Sequence, residues 1–226
     1  MRDGNRMTLK ERVHSDAPLH IGMLSVELSG EEIRAKAEGQ GWDLAFVDLQ
    51  HAPYSEPQLA AFLTMATEAG VPIMLRTPHP DAAWLSSRLL DFGAAAVLIP
   101  MVETSTTVED AVANVYYPPL GNRSCGLRLA YGYDPAMSPR GYADWWNANG
   151  ILAIQIETIE AVLSVRNLVQ RGVDLILFGG TDLSFSLGVN PDCPFTSVAE
   201  CRQYVFEQTE DLDVRVGMAD LPFGRF

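Results

Sequence analysis

Four short apolar runs in this chain end in residues that could do chemistry: Asp48-Leu-Gln50-His51, Arg76, Gln155-Ile-Glu157 and Gly179-Gly180-Thr181-Asp182. Together they offer an imidazole for proton transfer, a permanent cation and two carboxylates. Glu157 and Asp182 are hard oxygen donors. They suit Mg²⁺ or Mn²⁺ with water or substrate in the remaining positions, whereas zinc would want more His or Cys. The same two acids also read as solvated or helix-capping carboxylates. Arg76 is either half of a structural ion pair or a clamp for a substrate carboxylate or enolate, and its apolar flanks favour the clamp. His51, with Asp48 near it in sequence, reads equally as a packed histidine or a general base. His79 lies between two prolines and reads as loop, while His14 and His20 precede or open the first strand, at the wrong end for this chemistry. Gly179-Gly180 would let backbone N–H groups approach an anion at the next helix, although a tight turn needs the same glycines.

The elements that must position these residues follow one repeating pattern: a glycine, four to six apolar residues, a polar cluster, then helical spacing. Leu44–His51, Ile73–Pro78, Ala96–Val102, Ile151–Glu157 and Val173–Phe178 are such runs, with His20–Leu28 before them and Val214–Met218 after. Runs this apolar are strands buried on both faces. Between them, Ser55 and Gln58 read as a capping box opening a helix that Gly70 closes. Strand alternating with helix predicts a parallel sheet, and units of about 25 residues fit a (β/α)8 barrel, the TIM fold, better than a Rossmann sheet. Neither GxGxxG nor GxxxxGK[ST] is present to support a nucleotide fold. In a barrel the polar residues above all fall at the C-terminal mouth. Tyr116–Asn149, rich in proline and glycine, reads as one long loop shaping that mouth.

Composition narrows the functional classes. The chain has 226 residues, 47% hydrophobic and 20% charged, enough for one large folded domain. The net charge of −13 argues against nucleic acid or an anionic membrane as partner. Arg2, Arg6, Lys10 and Arg12 are interleaved with acids and read as a solvated tail, the first 18 residues forming a short extension of a single domain. No stretch is long and apolar enough for a bilayer span or a secretory signal. Cys125, Cys193 and Cys201 form no CxxC pair, so a reducing cytoplasm is expected. Lys10 and Lys36 are the only lysines and neither ends an apolar run, which argues against Schiff-base catalysis.

At these residues the sequence resembles the HpcH/HpaI family of metal-dependent pyruvate aldolases. The matching stretches are Val47–Pro53 (VDLQHAP), Leu75–Pro78 (LRTP), Leu89–Gly93 (LLDFG), Leu98–Val102 (LIPMV), Tyr117–Gly126 (YPPLGNRSCG), Gln155–Thr158 (QIET) and Gly179–Ser184 (GGTDLS). The resemblance implies a proton acceptor at His51 with its basicity raised by Asp91, and enolate stabilisation by Arg76. It also implies a divalent metal (Mg²⁺, Mn²⁺ or Co²⁺) on Glu157 and Asp182, and a 2-oxo acid held by Gln155, Thr181 and Asp182. Arg123 would sit in a Gly-x-Arg loop lining the mouth. The implied reaction is cleavage or formation of 4-hydroxy-2-oxo acids from pyruvate and an aldehyde, by a homo-oligomer.

Three departures from the family pattern are visible. Gln50 replaces a glutamate beside the histidine, and Gly180-Thr181 replaces Pro-Ala or Pro-Ser before the aspartate. The family pattern also continues past Val214–Met218 into a helix, an eighth strand and a C-terminal helix, so the expected fold is a (β/α)8-type barrel without its last strand–helix unit. That leaves a silent barrel binding a 2-oxo acid, or serving as an interaction subunit, as the alternative. An acyl-CoA lyase of the related citrate-lyase β type is a further one, although no basic patch for CoA phosphates is evident.

Overall fold

A computed structural model describes residues 7–189 and 193–220. Its elements run α1 (Leu9–Val13), β1 (Ile21–Met23), α2 (Gly30–Gln40), β2 (Leu44–Asp48), α3 (Glu56–Ala69), β3 (Ile73–Arg76) and a 3-10 turn (Pro80–Leu85). They continue with α4 (Ser86–Asp91), β4 (Ala96–Ile99), α5 (Ser105–Val115), α6 (Pro139–Asn149), β5 (Ile151–Ile156) and α7 (Ile159–Leu168). The last four are β6 (Leu175–Phe178), α8 (Gly180–Val189), α9 (Val198–Thr209) and β7 (Arg215–Asp220). All seven strands are parallel and pair in sequence order, β1 to β7. This is the expected barrel-type α/β architecture with seven strands among the described residues.

Two apolar layers hold it together. Alternate strand residues Leu44, Phe46, Met74, Ala96, Leu98, Ile151, Ala153, Leu175 and Leu177 meet in one inner cluster with Val13. One continuous cluster that takes in side chains from β2 through β6, with Val13 of α1 among them, fits a sheet rolled around its inner face. The opposite faces, among them Ala45, Val47, Leu75, Val97, Ile99, Leu152, Ile154 and Ile176, pack under the helices. The period-2 alternation sets what comes next: Asp48 follows Phe46, Arg76 follows Met74 and Gln155 follows Ala153, so the inner stack is topped by a polar layer.

Three sequence expectations change. The first strand is only Ile21–Met23, because the chain leaves β2 after the Leu24 N–H bonds the Phe46 carbonyl at 2.9 Å and turns at Val26 and Glu27 before running into α2. Tyr116–Asn149 is not all loop: Ser138 caps α6, Pro139 occupies its first turn, and Tyr142 and Trp146 are buried. Within the predicted N-terminal tail, the described residues from Thr8 onward are not loose either. Thr8 and Glu11 form a capping box that opens α1, and Val13 is fully buried as a floor to the inner cluster. Lys10 pairs with Asp174 at 3.0 Å and Arg12 with Asp43 at 3.3 Å, while Arg2 and Arg6 lie outside the described residues. No helix among the described residues is long and apolar enough to cross a membrane.

The floor is also where His14 has its role. Its two ring nitrogens lie 2.9 Å from Asp174 and 2.9 Å from Asp213. Asp174 additionally accepts from the Tyr116 hydroxyl at 2.8 Å and the Leu152 N–H at 3.0 Å. The bond to Asp174 raises the His14 pKa above its usual value, burial opposing it. Burial pushes Asp174 up, but His14, Lys10, the Leu152 N–H and Tyr116 outweigh it and hold the carboxyl below the usual range. The His14 contribution is therefore complete below about pH 6.5 and is lost as pH rises through its elevated pKa. That of Asp174 is complete above about pH 4 and is lost as pH falls through its depressed pKa. Thermal unfolding should thus show greatest stability between these limits. His14→Ala should cost about 1–3 kcal/mol at pH 6 and distinctly less at pH 9. An equal cost at both pH values would show that the imidazolium contributes nothing.

Candidate functional site at the strand C-termini

The polar layer above the inner core is built around Arg76, which is 1% exposed. Its Nε donates to Asp48 Oδ1 at 2.9 Å and its Nη2 to Asp48 Oδ2 at 2.6 Å, a two-pronged pair between adjacent strand ends that face each other in register. Nη1 donates to Gln155 Oε1 at 3.1 Å, and the guanidinium lies 5.6 Å from the Phe46 ring below. Burial alone would raise the Asp48 pKa; the bonds and charge of Arg76, the Gln50 N–H and the charge of His51 outweigh it, so the carboxyl sits below its usual range. Arg76 is thus an ion pair and a fixed cation at once. The partner that fixes it, Asp48, is legible in the strand alternation but not in its nearness to His51.

With its oxygen committed to Arg76, the Gln155 amide leaves Nε2 as a buried donor with no partner among the described residues. A buried N–H of this kind is costly unless something supplies an acceptor. Glu157, two residues on and 2% exposed, accepts the Met101 N–H at 2.8 Å. Burial pushes its pKa up to about 7; the Met101 N–H and Arg76 oppose this, and the charges of Asp182 and Asp48 add to it. Thr181 and Asp182 are exposed in the first turn of α8, immediately after β6. A carboxylate raised mainly by its burial, with a second carboxylate adding to the effect and an orphaned amide donor two residues before it, is an arrangement that a cation and an oxygen-bearing ligand would complete. Among the described residues no group of three or more His, Cys, Asp or Glu is gathered for a metal, so only a site that leaves positions for water or ligand oxygens fits.

Gly179 controls this corner. A Cβ there would collide with the carboxylate of Glu157, so β6 must end in glycine for Glu157 to lie where it does. Gly179→Ala should therefore weaken Mn²⁺ binding by about 10–100-fold, the range for residues that orient a metal ligand, while the chain stays folded. Mn²⁺ titration with a parallel thermal melt checks it; unchanged affinity would mean that the Glu157 position is unimportant.

The remaining predicted residues divide. His51 is exposed at the rim, near enough for its charge to act on Asp48. Asp91 instead accepts from Arg123 Nη2 at 2.7 Å, and no hydrogen bond joins it to His51. Burial raises its pKa, with Arg123 opposing. The side chain of Arg123 is 0% exposed, 4.9 Å from the Tyr117 ring and 4.8 Å from that of Trp146. Its bond to Asp91 anchors the loop to α4, its Nε and Nη1 are buried donors with no partner among the described residues, and α6 supplies the aromatic wall that the sequence reading placed in a loop. Gln50 Nε2 donates to Met101 Sδ at 3.7 Å, and neither this contact nor the role of Gly179 was anticipated.

A rolled parallel sheet whose chemistry gathers at the strand C-termini defines a TIM-barrel-type protein with a carboxylate and guanidinium mouth. The chain belongs to the HpcH/HpaI aldolase/citrate lyase family, whose model matches residues 22–216. A 4-hydroxy-2-oxovalerate aldolase of Novosphingobium aromaticivorans is 31% identical over 179 residues, 77% of this chain and 65% of that protein. A hydroxypyruvate/pyruvate aldolase of Agrobacterium fabrum is 31% identical over 176 residues, again 65% of its own length. The chain thus spans slightly less than two thirds of these relatives. Among solved structures, the HpcH/HpaI aldolase of Desulfitobacterium hafniense superposes with a TM-score of 0.81 at 29% identity, covering 94% of this chain and 81% of that one.

Proposed function

We propose that this chain is a divalent-metal-dependent carbon–carbon lyase that cleaves or forms 4-hydroxy-2-oxo acids from pyruvate and an aldehyde. The observation that carries this reading is the polar layer itself: a fixed guanidinium and an unpartnered amide donor beside two carboxylates, at the mouth of a family-typical barrel. Glu157 and Asp182 would hold Mg²⁺, Mn²⁺ or Co²⁺. That ion, when bound, supplies positive charge to the 2-oxo acid and acts as a sink for the electrons of the breaking bond. Arg76, immobilised by Asp48, adds positive charge where the enolate oxygen develops, without reorganising at the moment of reaction. Gln155 Nε2 donates to an oxygen of the 2-oxo acid, and Thr181 and Asp182 border the same ligand. His51, directly or through water, takes the 4-hydroxyl proton as the carbon–carbon bond breaks. Asp91 and Arg123 hold the wall of the mouth.

In this reading the protein works in the cytoplasm as a homo-oligomer. Pyruvate with a small aldehyde should yield the hydroxy-oxo acid, the activity should vanish with EDTA, and Mg²⁺, Mn²⁺ or Co²⁺ should restore it. Turnover that survives EDTA would refute the metal route.

A further inference from the structure

Met101 has a φ of 47°, the one left-handed residue other than glycine among the described residues. Nothing local asks for this conformation: Met101 sits in Ile-Pro-Met-Val, without a glycine, just after β4. A side chain there is disfavoured sterically, and the conformation survives only where its surroundings over-determine it. Two backbone donors do so. The Met101 N–H reaches Glu157 Oε2 at 2.8 Å, and the Val102 N–H reaches the Gln155 carbonyl at 3.1 Å. The turn after β4 is thereby laid along the end of β5, with its left-handed residue aiming a donor at the carboxylate. The other oxygen of Glu157 rests against Gly179 at the end of β6.

From this convergence we infer that the Met101 backbone is a positioning device for Glu157, its left-handed turn engaging one carboxylate oxygen so that the other faces the ligand side over Gly179. The inference rests on the proposed role of Glu157 as a cation ligand. Met101 itself need touch neither metal nor substrate. Its side chain, whose sulfur accepts from Gln50, offers a competing account in which that side-chain contact rather than backbone conformation matters.

Three substitutions separate the two. Met101→Gly, Met101→Ala and Met101→Val all remove the thioether and its contact with Gln50. Glycine adopts positive φ without penalty, alanine resists it no more than methionine does, and β-branched valine resists it most. The readout is Mn²⁺ affinity by calorimetry on substrate-free protein, with circular dichroism and a thermal melt confirming the fold. The Gly and Ala variants should bind within about twofold of the unsubstituted protein, and the Val variant about tenfold or more weakly, as for other groups that orient a metal ligand.

Losses of about tenfold or more in both the Gly and Ala variants would overturn the inference in favour of side-chain packing, and this comparison decides even where the Val variant does not fold. Undiminished affinity in a folded Val variant would overturn it as well. Failure of the unsubstituted protein to bind Mn²⁺ would defeat the metal reading and this inference together. Binding with the wrong ranking defeats the inference alone.

Discussion

Arg76→Ala is expected to destabilise the barrel by about 3–5 kcal/mol, a large share of the roughly 5–15 kcal/mol that keeps a domain folded. The cost comes mainly from Asp48, which is 6% exposed and would keep its charge with the counter-ion gone. Loss of activity in that variant would say little about chemistry. The paired change Arg76→Met with Asp48→Leu separates the roles, because replacing both halves of a buried pair by apolar groups of similar size is often close to neutral. The double variant should recover stability in urea unfolding to within about 2 kcal/mol, yet turn over pyruvate and aldehyde at least about a hundredfold more slowly. Arg76→Lys should lie between: it keeps the charge but cannot form the two-pronged pair. A double variant with an undiminished rate would mean that Arg76 only holds the strand ends together. A raised KM with unchanged kcat in Arg76→Lys would mean that it binds substrate and transition state equally.

The central layer of this site was legible because it obeys the strand alternation. Leu44, Phe46 and Asp48 share one face of β2, as Ile151, Ala153 and Gln155 share one face of β5, so a reader who extends the apolar run by one step finds the polar residue that caps it. The sequence reading nonetheless left Arg76 open between clamp and ion pair. Its partner lies 28 residues away on the neighbouring strand, and only the register, Asp48 opposite Arg76, joins them.

What the sequence hid has a different character in each case. Lys10 and Asp174 are 164 positions apart, and no periodicity announces that a short capped helix will fold under the barrel floor. The loop motif around Arg123 does not say that the rings of Tyr117 and Trp146 will flank its guanidinium, because Trp146 comes from a helix 23 residues further on. Met101 has no signature because its backbone is set by what receives its N–H. Gly179 was noticed as a turn or anion-approach glycine; its tighter constraint, the space taken by the Glu157 carboxylate, is visible only once β5 and β6 are side by side.

Glu157→Gln should improve the fold while removing the function. In the metal-free protein a glutamate pKa pushed up to about 7, from the ordinary 4.5, means that folding disfavours the ionised form. The sign follows directly: below about pH 4.5 the group is protonated whether folded or unfolded and costs nothing. Between there and about pH 7 the penalty grows, and above about pH 7 it levels off near 3 kcal/mol. Glutamine keeps an oxygen for the Met101 N–H and cannot ionise. The variant in EDTA should therefore be more stable than the unsubstituted protein at pH 8, by up to about 3 kcal/mol, with the two converging near pH 4. Saturating Mn²⁺ should reverse the order, because only the carboxylate gains from the cation, and ligand binding stabilises the state that binds. Turnover should fall below detection throughout. Denaturant unfolding at pH 4, 6 and 8, with and without Mn²⁺, measures each part. If Glu157→Gln were less stable than the unsubstituted protein at pH 8 in EDTA, the carboxylate would be a structural group. The buried acid would then no longer count as a destabilising feature maintained for binding.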